Sequence, residues 1–297
     1  MALTGSRIFI FICIQWFAYT SATGNETVHV LVDRSISNLQ KIKLKMKLLS
    51  QVKKMYGDCL PCRSISNSKS CDCTAIKPME DCLEFLQNGY TKNGIYKVTQ
   101  REKTVYCDQT TQNGGWTVFL RRQDGSTDFQ QNWLDYKYGF GKLTSEFWLG
   151  NEIVHDLTKP SVAPKKSELL INMRMKGQTK LVFAKYDTFE IGDEASKYTL
   201  KISGVSGNAP HSTGSYSFLG NHNNMKFSTY DRDNDKDRSR HCSTEYGRVG
   251  WWFNRCYITL LTGNYKFTGH SNGEISWNNN PGDVEPKFVQ MMMRRKL

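Results

Sequence analysis

The chain has 297 residues and a formal net charge of +12, with 38% hydrophobic and 23% charged residues. This length and composition are those of a globular protein with one large domain, not of a disordered or fibrous chain. No zinc-finger, RNP or basic-zipper pattern accompanies the positive charge. We therefore expect acidic glycans or anionic microbial surfaces as partners before nucleic acid.

The N-terminus has the pattern of a secretory signal peptide, which we predict at residues 1–22. Arg7 is the only charged residue before an apolar stretch at residues 8–18, and the small residues at 20–22 suit cleavage after Ala22. The apolar stretch is shorter than the ~20 residues that a membrane span needs. We expect a soluble, secreted, extracellular protein with no membrane span; an uncleaved membrane anchor is the alternative.

Residues 25–57 are predicted to form a short helical or coiled-coil stalk. Apolar residues recur there at steps of three and four, as in an amphipathic helix: Val32, Ile36, Leu39, Ile42, Met46, Leu49, Val52 and Tyr56. The helix spans only about three to four heptads, the minimum for a coiled coil. The pattern therefore leaves two alternatives: homo-oligomerisation through the stalk, or a stalk helix that does not associate. Asn25 begins the N-x-[ST] triplet 25–27 and is the candidate glycosylation site.

Residues 58–80 form a predicted cysteine-rich linker that contains Cys59, Cys62, Cys71 and Cys73. Without Cys13 of the signal peptide, eight of the nine cysteines remain. An even number in an oxidising compartment predicts disulfides, some of them between chains. A zinc knuckle and a thioredoxin-like redox site are the alternatives, and both are disfavoured in a secreted chain without βαβ context.

Residues 81–297 are predicted to form one compact domain. Alternating apolar residues and glycine turns predict strands at 94–98, 104–107, 114–120 and 198–202, and a hairpin of 169–175 with 180–186. Helices are predicted at 82–86 and 147–157. After Gly204 the chain is rich in Gly, Asn, Ser and Asp, which predicts loops on a rigid scaffold.

An acidic run in this loop-rich part predicts a calcium site. Carboxylates at alternate positions repel one another, and Ca²⁺ relieves that repulsion by binding about 6–8 oxygen ligands. The run is not an EF-hand, because its sixth position is Lys236 and its twelfth is Cys242. A solvated acidic surface is the alternative. The carboxylates are those of Asp231, Asp233, Asp235 and Asp237.

Motifs spread along residues 80–297 resemble, in their order, a fibrinogen C-terminal-like domain of the ficolin, tachylectin and angiopoietin-like group. They are Asp81-Cys82, Asn93-Gly94-Ile95-Tyr96, Val105-Tyr106-Cys107-Asp108, Gly114-Gly115-Trp116-Thr117-Val118, Arg121-Arg122-Gln123-Asp124-Gly125-Ser126, Glu146-Phe147-Trp148-Leu149-Gly150-Asn151-Glu152, Lys226-Phe227-Ser228-Thr229 and Gly250-Trp251-Trp252. The resemblance implies an α+β fold with a central antiparallel sheet and a loop-rich C-terminal part.

The resemblance also implies two disulfides, Cys82–Cys107 and Cys242–Cys256. It implies that Trp116, Trp133, Trp148 and Trp252 are mainly core residues. Its calcium ligands correspond to the side chains of Asp233 and Asp235 and to main-chain oxygens near Asp237 and Ser239. The stretch from Asp235 to Cys242 is one residue longer than the usual pattern.

In the lectin members, an aromatic pocket beside the calcium loop holds an acetyl group, with a cis peptide before the second cysteine. Here that peptide is Arg255–Cys256, and Tyr246 matches a pocket aromatic. The chain has Tyr257 where histidine is frequent and His270 where tyrosine is common, which indicates a remodelled pocket. The candidate ligand-binding residues are Tyr246, Arg255, Tyr257 and His270.

Two functions follow from this resemblance. The first is a calcium-dependent, lectin-like protein of innate defence that binds glycans or acetylated groups on microbial or cell surfaces. The second is an angiopoietin-like or matrix-type ligand that binds a cell-surface protein receptor through the same C-terminal surface. The motifs G-x-S-x-G, H-E-x-x-H and G-x-x-x-x-G-K-[ST] are absent from the sequence, so we predict no enzyme and no catalytic residue.

Overall fold

In this computed structural model, the structure describes residues 77–159, 166–215, 217–265, 273–278 and 285–296. The predicted signal peptide, stalk and cysteine-rich linker lie outside these ranges, as do Asn25 and His270. The predictions made for those segments therefore stay predictions.

The described part of the chain is a mixed α+β structure built on one large sheet, as predicted. Its helices are α1 Cys82–Gln87, α2 Trp133–Tyr138, α3 Asn151–Thr158, α4 Phe218–His222 and α5 Cys242–Glu245. Its strands are β1 Gly94–Lys97, β2 Thr104–Asp108, β3 Trp116–Arg122, β4 Phe140–Gly141, β5 Phe147–Trp148, β6 Ser167–Met175, β7 Val182–Ile191, β8 Leu200–Gly207, β9 Thr259–Leu260, β10 Ser276–Trp277 and β11 Pro286–Arg295.

The central sheet has the strand order β1-β2-β3-β11-β6-β7-β8, and its neighbouring strands pair antiparallel. The short strand β5 joins this sheet beside β3, and β4 pairs with β5. The predicted hairpin is present as β6 and β7. The middle position is occupied by β11, which comes from the C-terminal end of the chain and carries the buried residues Met291 and Met292.

The helix predicted at residues 147–157 begins later than expected, at Asn151. Phe147 and Trp148 pair with β3 instead, because Trp148 fills the core and is fully buried. Gly150 makes the change of direction with φ of 113°, a conformation that residues with a side chain rarely adopt. A Cβ at this position would approach the carbonyl carbon of Tyr138 to 2.7 Å.

An aromatic core separates the sheet from the loop-rich C-terminal part. Trp148, Phe227 and Trp252 are fully buried, with ring centroids 5.8 Å apart for Trp148 and Phe227 and 5.2 Å apart for Phe227 and Trp252. Trp116 and Trp133 are likewise buried. Because Phe227 and Trp252 flank the acidic loop in sequence, this core holds both ends of the loop in place.

Candidate functional site

The acidic loop is tied to the aromatic core by backbone and side-chain hydrogen bonds. Ser228 and Trp251 exchange backbone hydrogen bonds of 2.9 and 3.0 Å. Asn234 donates from its side chain to the Phe227 carbonyl at 2.9 Å and from its backbone N–H to Ser228 Oγ at 3.0 Å. These hydrogen bonds fix the start of the acidic loop against the core.

The carboxylates of Asp233 and Asp235 each accept a hydrogen bond from the backbone N–H two residues later in the loop. The N–H of Asp235 donates to Asp233 Oδ1 at 3.2 Å, and the N–H groups of Asp237 and Cys242 donate to the two oxygens of Asp235 at 2.8 and 2.9 Å. Burial raises the pKa of Asp235 to about 6, and repulsion from the Asp233 carboxylate adds to that rise.

This donor set fits a hard cation. Burial and the neighbouring Asp233 carboxylate disfavour the ionised form of Asp235, and a divalent ion that takes oxygen ligands would stabilise it. The side chains that would hold Ca²⁺ are those of Asp233 and Asp235. The arrangement agrees with the ligand set that the sequence predicts at these two positions.

The Asp237 side chain has other partners. Its Oδ2 accepts hydrogen bonds from Arg240 Nε and Nη2 at 2.9 and 2.7 Å, and its Oδ1 accepts from Ser239 N and Oγ at 3.0 and 2.7 Å. The hydrogen bonds from Ser239, followed by those from Arg240, lower the pKa of Asp237 to about 2. Only main-chain oxygens of Asp237 and Ser239 are therefore left for a metal, as the resemblance implies.

A cluster of one carboxylate and two cysteines near the loop has the residue types of a metal site but not the free ligand atoms. The Asp237 carboxylate lies within 4.8 Å of the sulfurs of Cys242 and Cys256. These two sulfurs form a disulfide, so neither can supply a thiolate ligand.

The Cys242–Cys256 disulfide joins α5 to the segment that follows the paired tryptophans. The peptide bond between Arg255 and Cys256 is cis. The N–H of Asn254 donates to the Cys256 carbonyl at 2.7 Å, and the N–H of Lys236 donates to the Asn254 carbonyl at 3.1 Å. The acidic loop and the disulfide therefore form one continuous surface. The other implied disulfide, Cys82–Cys107, joins α1 to β2.

Tyr246 and Tyr257 lie together beside this disulfide, with ring centroids 5.1 Å apart in an edge-to-face arrangement. Tyr246 is half-buried and its hydroxyl accepts a hydrogen bond from Arg240 Nη1 at 3.2 Å. Tyr257 is only 8% exposed and packs against the Tyr246 ring. Arg255 is exposed. Of the three predicted ligand residues that the structure describes, Tyr246 and Arg255 are thus the more exposed.

A fully buried histidine supports this surface from behind. His222 Nδ1 lies 2.8 Å from the Trp252 carbonyl, and the N–H of Thr259 donates to Nε2 at 3.1 Å. This pattern requires a neutral ring with the proton on Nδ1. Burial lowers the pKa of His222 to about 4. His222 was not a sequence candidate, since a lone histidine in a loop-rich region carries no motif.

A cavity of about 420 Å³ adjoins the same surface, because Asn264, on its wall, lies against Gly247 next to Tyr246. Its other wall is the loop that follows β3, and this loop is organised by one carboxylate. Glu146 is fully buried; its Oε1 accepts N–H groups of Gln123, Asp124 and Gly125 at 2.8, 3.1 and 3.0 Å. The cavity is lined by Arg122, Gly125, Ser126, Thr127, Asp128, Phe129, Gly263, Asn264, Tyr265 and Glu274.

Arg122, one of the residues that line the cavity, belongs to a buried ion pair. Arg122 Nη1 donates to the carbonyls of Leu261 and Gly263 at 3.1 and 2.7 Å, and Nε lies 3.7 Å from Glu146 Oε1. The guanidinium also lies 3.9 Å from the centre of the Phe129 ring. Arg122 and Glu146 stand in motifs that carry the family resemblance, but the sequence does not show that they meet.

The fold defines a disulfide-bonded α+β domain with a central antiparallel sheet and a loop-rich C-terminal part. The model of the family "Fibrinogen beta and gamma chains, C-terminal globular domain" matches residues 78–296, and the chain belongs to this family. Within the described residues, none of the helices is long and apolar enough to cross a membrane.

Individual relatives agree with this membership. The chain is 42% identical over 221 residues to tenascin-R of Rattus norvegicus, covering 72% of this chain and 15% of that protein. It is 40% identical over 233 residues to fibroleukin of Bos taurus, covering 73% of this chain and 51% of that protein. The chain thus matches about half of the length of fibroleukin and a much smaller part of tenascin-R.

A solved structure shows the same fold. The fibrinogen-like globe domain of human ANGPTL2 has a TM-score of 0.64 and 35% identity, covering 73% of this chain and 99% of that domain. The relatives in this family are non-enzymatic ligand-binding proteins, and the prediction that the chain is not an enzyme is confirmed by this membership.

Proposed function

We propose that the chain is an extracellular recognition protein that binds glycans or acetylated groups through the surface around the Cys242–Cys256 disulfide, with calcium bound in the adjacent acidic loop. The observation that carries this proposal is the hydrogen bond from the Cys242 N–H to Asp235 Oδ2 at 2.9 Å. It connects a carboxylate suited to calcium directly to the disulfide beside Tyr246. An ion bound at Asp235 would stiffen the ligand surface.

A single shallow site of this kind binds weakly. Linked sites can raise avidity by about 10²–10⁴, so the predicted stalk and linker cysteines would provide the oligomer that surface recognition needs. Secretion and a role in innate defence belong to the same proposal, which is supported by the predicted signal peptide and by the glycan-binding members that the chain resembles.

The test of the proposal is capture of the secreted, full-length protein on N-acetylglucosamine resin in the presence of calcium. We expect retention, elution by free N-acetylated sugar, and elution by a chelator. Tyr246→Ala should abolish retention, whereas Tyr138→Ala, a half-buried tyrosine on α2, is the matched control and should be retained. Failure of a folded, calcium-loaded protein to bind a panel of acetylated ligands would refute the glycan proposal.

The second candidate is an angiopoietin-like or matrix-type ligand that binds a protein receptor through the same surface. The burial of Tyr257, where the lectin members frequently have histidine, favours it, because a side chain that is only 8% exposed offers little surface to a sugar at that position. Saturable, calcium-dependent binding to cells that persists after enzymatic removal of surface glycans would support this candidate over the first.

Replacing both calcium-binding carboxylates should abolish stabilisation by calcium. At a calcium concentration about 100 times Kd, the ion stabilises the folded state by about 2.7 kcal/mol. For a domain of this size that is a rise in Tm of about 5–10 °C. The rise should disappear in Asp233→Asn/Asp235→Asn and persist in Asp124→Asn/Asp128→Asn, which removes two exposed carboxylates elsewhere. An unchanged rise in the first variant, measured by thermal unfolding, would refute the site.

A further inference from the structure

Most basic residues around the acidic loop already have partners. Arg240 pairs with Asp237 at 2.7 Å, Arg232 lies 3.5 Å from a carboxylate oxygen of Glu194, and the Arg248 guanidinium lies 4.3 Å from the centre of the Tyr230 ring. These contacts within the protein occupy the three guanidinium groups, so they are less available to a ligand.

Three further cations at the same surface remain unpaired: Lys236, Arg238 and Arg255, which we call the basic patch. All three are exposed, and none makes an ion pair or a side-chain hydrogen bond with another residue in the part of the chain that the structure describes. Two of them are arginines, whose planar guanidinium binds carboxylate or sulfate groups through two parallel hydrogen bonds.

The fold places the segment of Lys236 and Arg238 beside that of Arg255. The N–H of Lys236 donates to the Asn254 carbonyl at 3.1 Å. The carboxylate of Asp237, between Lys236 and Arg238, lies within 4.8 Å of the Cys256 sulfur, next to Arg255. The residues of the patch therefore flank the disulfide of the proposed ligand site.

The charge balance of this surface depends on the acidic loop. Asp237 pairs with Arg240, and Asp233 and Asp235 are neighbouring carboxylates of the same loop, together with the exposed Asp231 and Glu245. A divalent cation held by Asp233 and Asp235 would cancel the charge of these two side chains. The attraction of the basic patch for an anionic ligand would then be opposed less, since Coulomb interactions between exposed groups extend over about 10 Å at moderate salt.

We propose that the basic patch selects an anionic glycan, a polysaccharide bearing sulfate or carboxylate groups, as the ligand of the surface beside Tyr246. This inference rests on the proposed function and specifies its ligand class. A glycan fits better than an acidic peptide, because the backbone N–H groups of Lys236, Tyr246 and Asn254 all donate within the protein. Little backbone is left at this surface for pairing with a peptide chain.

The test compares full-length protein with two charge variants by calorimetric or surface-based titration with heparin oligosaccharide, in calcium. The patch variant is Lys236→Gln/Arg238→Gln, which spares Arg255 because that residue is a candidate of the sugar site. The control, Lys92→Gln/Lys180→Gln, loses two exposed lysines on other loops and so the same total charge. We expect the patch variant to bind about tenfold or more weakly, with a shallower salt dependence, and the control to change by less than about twofold.

Two further ligands complete the test. One distinguishes sulfate from carboxylate as the preferred anion, and the other distinguishes the basic-patch proposal from the proposed function. Hyaluronan carries carboxylates without sulfate, so its binding relative to heparin shows which anion is preferred. Neutral N-acetylated sugar reports the proposed function alone. Loss of heparin or hyaluronan binding with neutral sugar binding retained supports both proposals, and the same loss without any neutral sugar binding supports the basic patch alone.

Two outcomes overturn the inference. Equal losses in the patch variant and the control variant would show that binding follows net charge and not the basic patch. Polyglutamate that competes as well as heparin at equal charge would show that the patch binds acidic peptides, and the glycan assignment would be wrong. Neutral sugar binding that survives in either case leaves the proposed function intact.

Discussion

Glu146→Gln should lower the free energy of unfolding by about 3–5 kcal/mol, the largest effect of the substitutions considered. The carboxylate is fully buried, accepts three backbone N–H groups at one oxygen and a fourth, from Thr127 at 3.0 Å, at the other. Its loss also leaves the buried Arg122 guanidinium, 3.7 Å away, without its countercharge. Removing one partner of a buried ion pair typically costs this much.

Urea unfolding monitored by tryptophan fluorescence measures the effect. Glu245→Gln is the matched control, because this carboxylate is 43% exposed and lies 3.7 Å from Arg240 only. The control should change stability by less than about 0.5 kcal/mol. Amide hydrogen exchange at residues 123–125 and 127 should accelerate in Glu146→Gln, since one of the two acceptor oxygens is replaced by an NH₂ donor and the other loses its negative charge. A loss of stability below about 1 kcal/mol would show that the loop after β3 does not depend on this carboxylate.

Acid should destabilise the domain through His222 by about 3 kcal/mol between pH 6.5 and pH 4. The pKa of this ring falls from its ordinary 6.5 to about 4 in the folded protein because of burial. Below pH 6.5 the His222 ring therefore binds a proton in the unfolded chain, whereas in the folded chain it binds this proton only near pH 4. The contribution is fully present above pH 6.5 and is lost as pH falls towards the folded pKa, and the difference in pKa converts to about 3 kcal/mol.

The comparison of wild type with His222→Asn isolates this contribution. The variant should be less stable at pH 7.5, because it loses hydrogen bonds to the Trp252 carbonyl and from the Thr259 N–H. The difference between the two proteins should shrink by about 3 kcal/mol by pH 4. His155→Asn is the control, since that ring is only partly buried. A difference that stays constant with pH would contradict a neutral, buried His222.

The extended elements of the domain were largely predictable from local sequence. Alternating apolar residues and glycine turns located β1, β2, β3 and the hairpin of β6 with β7, since a half-buried strand has a period of two. The central strand β11 was not predicted, because a run of methionines with apolar neighbours has no alternation. Its position between β3 and β6 depends on pairing with residues more than a hundred positions away.

The candidate site divides in the same way. The charge of the acidic run predicted a hard-cation site, and the family resemblance implied Asp233 and Asp235 as its side-chain ligands. The sequence showed that the stretch from Asp235 to Cys242 is one residue longer than the usual pattern, but it did not show which contacts this stretch makes. Arg240 reaches back to Asp237 and to the hydroxyl of Tyr246, which links the acidic loop to the ligand surface.

The sequence by itself determined the family, the two disulfide pairs that the family implies, most strands and the location of the acidic loop. These features depend on residue identity and short spacing, which are written directly in the chain. The tertiary structure alone decided that Tyr257 packs edge to face against Tyr246, that Glu146 organises the cavity wall and that the segment of Lys236 and Arg238 lies beside the Cys242–Cys256 disulfide. Each of these depends on contacts between residues that are separated in sequence, and short spacing along the chain does not record such contacts.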